Sequence, residues 1–400
     1  MTNEKRSQNA TPSAEVMKIE DGRMKNFTER KMSRRDFLKT TAAAAGLLLL
    51  PKDVEAKIAR THLAGAAALD NFPDAEFLGR NCSGGILNFR ARPSADAPIV
   101  RIVYEDALFP IYREVIGAAP AGTPIATWYE TPYGYAFSPN VQEVKNEPNE
   151  LETELPQTSM GKGFWAEITV PYVGLSFDKD PISPWYQQIY SHNPRAYYGQ
   201  VFWIDDIRTS YDGTVLYRVN ELYGTYGDLV YADGRGFRRI REEDVSQIHP
   251  DAEEKRILAN LTYQTLTCFE GKDEVYFCRM SSGRVYGDDG QVTDNYATPT
   301  GNHSPHRKLI SLHMAGAMTG GGWDTPGVPW NFMFATGGAA IHGVFWHASF
   351  GVARSHGCIN CRNEDAKWIY RWTNPYVPLD PGDIDIVAAG LQGTKVEVVN

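Results

Sequence analysis

Long apolar runs are scarce in this chain of 400 residues. The clearest, Ala42 to Leu50, would cover about 14 Å as a helix, less than half of a bilayer core of about 30 Å. No later stretch is long enough to span a membrane as a helix. Positive charge is also in short supply: 40 Lys and Arg stand against 49 Asp and Glu, a net charge of −9. Residues 1–56 hold eleven basic and eight acidic side chains, which leaves 29 against 41 in the remainder. With that balance and no basic stripe, nothing electrostatic favours a nucleic-acid partner. Cysteine is rare too, and five is an odd number, so at least one thiol has no partner within the chain. H-E-x-x-H and a doubled C-x-x-C are both missing, as is a K-T-G to accompany the S-x-x-K-like "SFDK" at 176–179.

What is present favours strands. The 21 Tyr and 9 Trp, with 36 Gly and 24 Pro, suit short strands joined by turns, so the fold class expected is mainly β. The amino terminus is an exception. "SRRDFLKTTAAAAGLLLLP" (33–51) sets Arg34 and Arg35 in an S-R-R-x-F-L-K pattern before the apolar run, and "VEA" (54–56) offers a small-residue cleavage site. That is the pattern of a twin-arginine signal peptide over 1–56, which implies export in a folded state and no membrane span once it is removed. Outside the cytoplasm a spare thiol is an oxidation hazard, which makes a functional reason for it more pressing.

Composition then divides the rest. Residues 57–76 read as a linker, 77–145 as a small β-barrel module, and the acidic 146–163 as a second linker. Residues 164–248 read as a second β-rich module, and 255–400 as a final, mostly β domain with one clear helix. Asn363 can cap that helix, Glu364 and Asp365 suit its first turn, and Asn374-Pro375 stops it. Short helical character is expected at 249–257, and "DIDIVAA" and "TKVEVV" as closing strands. A hairpin turning at Gly271 would set Cys268 opposite Val275 rather than Cys278.

The chemistry concentrates in "IHGVFWHASFGVARSHGCINC" (341–361). In an extended segment His356 and Cys358 share one face, and Gly357 between them lets a substrate approach closely. His342 lies sixteen residues earlier at the end of a strand-like run, with a loop long enough to return the chain beside it. The helix start near Asn363 would favour a thiolate if it faced the sulfur. This is the pattern of a cysteine nucleophile with a histidine base, in which a backbone group orients the base. A metal site is the first rival, because His303, His306, His313, His342, His347 and His356 fall within 54 residues. Pro305 interrupts the H-x-x-H at 303–306, however, so neither a metal nor a cofactor is expected. "CINC" makes a redox pair conceivable, without the βα junction such pairs occupy; Cys361 could equally shield or oxidatively trap Cys358. Cys82 reads as a lone structural thiol.

The same residues resemble the catalytic motif of the L,D-transpeptidases, an upstream H-G followed by S/T-H-G-C-x-N: here His342-Gly343, then Ser355 to Cys358 and Asn360. "TPTG" (298–301), "PGVPW" (326–330) and "NEDAKWIY" (363–370) extend the likeness from Leu258 to the end. "GGILNFRARPSADAPIV" (84–100) resembles the opening of bacterial SH3-like wall modules. The family likeness implies Cys358 as acyl-accepting nucleophile, His342 as general base and the Gly343 carbonyl as orienting group. It also implies His356 beside the site, oxyanion donors around Gly357–Cys358, and Ser355, Asn360 and Arg354 as substrate contacts. Many members carry Arg where this chain has Asn360, which makes Arg354 the candidate for holding a substrate carboxylate. The reaction implied is attack on the carbonyl before a terminal D-alanine of a peptidoglycan stem, then transfer to a second stem's amine, giving a 3→3 cross-link. Transfer to water would make the protein an L,D-carboxypeptidase, and a relic domain would leave a wall-binding protein. Carbapenems are the inhibitors implied. Papain-like wall peptidases are excluded, since they need a histidine after the cysteine and none follows here.

Overall fold

The structure is a computed structural model that describes residues 18–20, 23–25, 69–190, 194–220, 227–287, 290–292, 296–316 and 323–400. The leader expected at 33–51 lies outside the described residues, as does most of the 57–76 linker. The chain divides into two compact units, residues 1–58 and 59–400. In the first, Lys18–Glu20 and Arg23–Lys25 pair as antiparallel strands.

In the second, the described residues begin at Leu69; Leu69 and Phe72, which the sequence assigned to a linker, pack on the core of the middle module. Residues 78–144 form a three-stranded sheet (Val141–Val144, Leu78–Asn81, Leu108–Pro110) and a five-stranded one running from Ile99–Val103 to Arg113–Ile116. Leu87, Phe89, Phe109, Tyr129, Ala136 and Val141 fill the space between them. The segment expected as a linker at 146–163 is packed too. Leu151 and Leu155 lie on the middle module's core, and Glu152 pairs with Arg239 and Arg241. The middle module is a six-stranded antiparallel sheet carrying a helix, Pro184–Tyr190, that the sequence reading did not foresee.

The last domain holds two five-stranded sheets. Its strands are β1 (Lys255–Asn260), β2 (Thr265–Glu270), β3 (Asp273–Arg279), β4 (Gly301–His303), β5 (Arg307–Gly316), β6 (Trp323–Met333), β7 (Ala340–Gly343), β8 (Ile359–Cys361), β9 (Asp383–Asp385) and β10 (Lys395–Val399). The orders are β3-β2-β1-β10-β4 and β8-β7-β6-β5-β9, with β1/β10 and β7/β8 the parallel pairs. Alternation sets the inward faces: Ile257 and Ala259 on β1, Val396 and Val398 on β10 are all buried. Three local expectations need correcting. The helix expected at 249–257 is a strand from Lys255 on, and the helical turn is Glu242–Val245. A bulge after Cys268 slips the hairpin by one residue, so Cys268 faces Tyr276 and Cys278 faces Leu266. "DIDIVAA" is a strand only over Asp383–Asp385.

The helix α1 (Asn363–Trp372) is where the sequence placed it, but Arg362 rather than Asn363 occupies the cap, without a side-chain bond. Its carboxyl end is unusual. Buried Lys308 donates to the Thr373 and Pro375 carbonyls (2.7 and 2.8 Å), and buried Lys255 to the Trp372 and Ile248 carbonyls (2.9 and 3.0 Å). These two amines satisfy the Trp372 and Thr373 carbonyls that the helix end leaves open, while burial pushes the pKa of both lysines down. Ala366, Ile369, Tyr370 and Trp372 then anchor α1 in a core shared with Trp165, Val201 and Trp203 of the middle module. The last domain is therefore not a bead on a string; its core continues into its neighbour.

Candidate active site

Strands β7 and β8 run parallel with His342 opposite Asn360 and Gly343 opposite Cys361. The nucleophile candidate Cys358 stands one residue before β8, and His342 projects from β7. Glycine suits position 343, because a Cβ there would meet Asn363 Oδ1 at 2.3 Å and Pro329 Cγ at 3.0 Å and force Asn363 to shift. Gly357 sits at φ +120°, a conformation that side-chain-bearing residues rarely adopt. The H-G and H-G-C parts of the motif thus each have a steric cause.

His342 is buried, and its Nδ1–H donates to the Gly343 carbonyl at 2.9 Å. A carbonyl can only accept, so the ring's tautomer is fixed and the Nε2 lone pair remains available. Burial pushes the His342 pKa down to about 4 against the opposing pull of that hydrogen bond. Cys358 is half-buried; its thiol donates to the Gly338 carbonyl at 3.9 Å. Desolvation pushes its pKa up to about 11, partly offset by a hydrogen bond from the Ala340 backbone. Both shifts favour the neutral forms, thiol and imidazole, rather than the thiolate expected from the helix start.

The other expected residues serve the loop more than the ligand. Ser355 Oγ donates to the Cys358 carbonyl (2.6 Å) and accepts from Gly357 N–H (3.1 Å), so that N–H is already used and is no oxyanion donor here. Arg354 Nη1 donates to Ser349 Oγ at 2.9 Å. His356 Nε2 lies 3.1 Å from Arg284 Nη2, and its ring meets Tyr296 edge-on at 4.7 Å. Asn360 pairs with His347, a residue the sequence reading did not assign to the site. The Ser349 N–H donates to His347 Nδ1 (3.1 Å), and burial pushes the His347 pKa down to about 3. Its one ring proton is then on Nε2, 2.8 Å from the Asn360 amide. The consistent orientation of that amide puts Oδ1, otherwise a buried orphan, toward His347 and turns NH2 away from it.

His342, Cys358, Ser355, His356, Gly357, Asn360 and Arg354 all line one cavity of about 890 Å³. Trp346, from the same stretch, lines it too, and two further walls come from distant segments: Arg284, and Trp185 on the middle module's helix. Arg284 is held there because its N–H bonds the Ser355 carbonyl at 3.0 Å, while its guanidinium stacks on Tyr296 at 4.6 Å. The cavity's described lining contains two arginines and no carboxylate, in a chain of net charge −9. That polarity suits an anionic ligand.

The metal rival finds no support in the side-chain arrangement. His313 is paired with Asp324 at 2.5 Å, and His303 donates to the Pro299 carbonyl. Among the described residues no group of three or more His, Cys, Asp or Glu is placed to hold an ion. All five cysteines are free, and Cys361 faces away from the cavity into the core, hydrogen-bonded to Cys278.

Residues 254–398 match the L,D-transpeptidase catalytic domain (YkuD), and residues 31–51 match the signal sequence of the twin-arginine translocation pathway. The carboxyl-terminal third of the chain thus resembles an L,D-transpeptidase catalytic domain, and a segment ahead of it resembles a twin-arginine signal. No curated protein matches it. Among solved structures it is similar to the L,D-transpeptidase LdtMt1 in complex with imipenem (15% identity, 46% of this chain, 67% of that one, TM-score 0.28). It is similar as well to an L,D-transpeptidase from Mycobacterium smegmatis (17%, 47% and 67%, 0.28) and to a variant of the Enterococcus faecium enzyme (19%, 38% and 51%, 0.27). The chain spans about half the length of the last.

Proposed function

We propose that the protein is an exported L,D-transpeptidase that forms 3→3 cross-links in peptidoglycan through a thioester on Cys358. The observation that carries this reading is the tautomer of His342. With Nδ1–H tied to the Gly343 carbonyl, Nε2 is left as the proton acceptor, and His342 and Cys358 line the same cavity.

Because the resting thiol holds its proton, attack and deprotonation proceed together. The sulfur bonds to the carbonyl carbon of the donor stem while its proton passes to His342 Nε2. Collapse of the tetrahedral adduct breaks the C–N bond, and the imidazolium returns the proton to the departing D-alanine amine. The acceptor's amine then attacks the thioester, gives its proton to the same nitrogen, and releases the thiol. Arg354 and Arg284 offer positive charge to the donor's carboxylates, and Cys358 N–H takes over the oxyanion role that Gly357 N–H cannot fill. The β-rich modules before residue 248 are proposed as SH3-like wall-associated units, placing the protein at the cell wall.

The test is mass spectrometry of products from a disaccharide-tetrapeptide. A dimer linked 3→3, formed by the wild type and lost in Cys358→Ala, supports the reading. Tripeptide alone would make the protein an L,D-carboxypeptidase, and unchanged substrate, with no imipenem adduct on Cys358, would leave only the wall-binding alternative.

A further inference from the structure

Beyond the cavity, the most completely bonded buried charge among the described residues is Arg80, in the first β-module. It is 2% exposed, and its guanidinium binds groups from two other parts of the chain. Within its own module, Nη1 bonds Asp106 Oδ1 at 2.7 Å, while Nε and Nη2 bond Gln142 Oε1 at 3.0 and 2.8 Å. From the middle module, Tyr197 lies under the guanidinium at 4.3 Å; its hydroxyl and Arg195 Nη1 bond the other Asp106 oxygen at 3.1 and 3.0 Å. From the last domain comes a single group, the Phe345 carbonyl, which accepts from Nη2.

Phe345 is three residues after His342 and next to Trp346. The Phe345 ring stacks on Tyr197 (5.6 Å, 16° between planes) and meets Trp346 edge-on at 5.0 Å. Trp346 in turn lies 6.0 Å from the His342 ring and walls the cavity. Two further bonds hold the same loop and its return to the first module: Ala348 N–H to the Pro139 carbonyl (3.2 Å) and Arg362 to Glu143 (2.9 Å). Asp106 itself sits at φ 63°, left-handed for a non-glycine residue, and such strain persists where surrounding bonds hold it. A planar fork with fixed donors gives directions as well as attraction, which suits it to setting a backbone carbonyl.

We infer that Arg80 is a positioning residue for His342: by fixing the Phe345 carbonyl it sets the Trp346 wall and the aim of the base, so the two β-rich modules are part of the catalytic unit. This rests on the transpeptidase reading for its consequence in turnover, but the geometry it concerns can be read separately. A displacement of about 1 Å in a base can cost on the order of 10²-fold in rate.

The mature protein and its Arg80→Met, Arg80→Lys and Tyr197→Leu variants are compared by four readouts. These are kcat and KM for the tetrapeptide substrate, the rate of Cys358 acylation by imipenem, the rate of Cys358 alkylation by iodoacetamide mapped to its peptide, and thermal unfolding. Arg80→Met is expected to lower kcat and acylation roughly 10- to 100-fold, with KM changed less than about twofold, in protein that remains folded at 25 °C. Arg80→Lys, which keeps the charge but not the fork, should recover part of that loss. If Arg80→Met does not fold, Tyr197→Leu, which leaves the ion pair in place, decides by the same measures. Lower melting temperatures with wild-type acylation and alkylation rates per folded molecule would overturn the inference. Absence of turnover in every protein, wild type included, counts against the transpeptidase reading; the alkylation rates would still decide the role of Arg80.

Discussion

The candidate cavity and the Arg80 junction both hold buried polar side chains, yet those side chains are partnered very differently. Desolvation drives His342 and Cys358, which line the cavity, and His347, bonded to Asn360 of its lining, toward their neutral forms. At the junction the Arg80 guanidinium and the Asp106 carboxylate are instead met by donors, acceptors and a ring. Neutral groups can exchange a proton during a reaction, whereas saturated ions hold backbone in place. The difference lies in the number of partners that each buried group has.

The sharpest separation should come from the cavity. Cys358→Ser and His342→Gln are each expected to lower imipenem acylation by about 10³-fold or more while shifting urea unfolding little; a variant that unfolds instead would erase the contrast. At the junction the reverse holds. Asp106→Asn strips Arg80 and Arg195 of their shared carboxylate and should cost roughly 3 kcal/mol in urea unfolding, because it leaves buried charge uncompensated.

Acid should find the cavity. The His342 pKa falls from an ordinary 6.5 to about 4 in the folded protein, so between those values the unfolded chain binds more protons. Stability is therefore full above pH 6.5 and declines as pH drops through about 4, and His347, at about 3, acts in the same direction. An arginine has no proton to lose in that window. The acylation rate should be flat from about pH 5 to 9, since neutral imidazole and thiol both persist there; a limb near pH 6.5 would mean an ion pair instead. The smallest effect belongs to the rim. Arg362 and Glu143 are both exposed by more than a third, so Arg362→Gln should cost under about 1 kcal/mol by urea unfolding.

The candidate site was legible where its parts are neighbours in sequence. His342, Gly343 and the run from Ser355 to Asn360 fall within one short stretch, and period-two alternation places them on facing strands. What was hidden comes from elsewhere. Arg284 reaches the cavity through a bridge between Gly283 and Ser355, and Trp185 through a helix of another module. Neither is marked by spacing, because the pairings that bring them in span more than seventy residues. The β-rich class was plain from turn residues and alternating apolar positions. The slip at Cys268 was not, since one unpaired residue in a strand leaves no local trace. Nor was the division into linkers: acidic, proline-bearing stretches look detached, but Leu151 and Leu155 are enough to dock one.

The junction also constrains the order of the protein's life. Its first donor is residue 80 and its last acceptor residue 345, so the knot cannot be tied until most of the chain has left the ribosome. A translocase that threads nascent polypeptide would pull residue 80 across well before its distant acceptor existed. A secretion route that waits for a finished tertiary fold avoids that problem, which gives the paired arginines near the amino terminus a physical rationale.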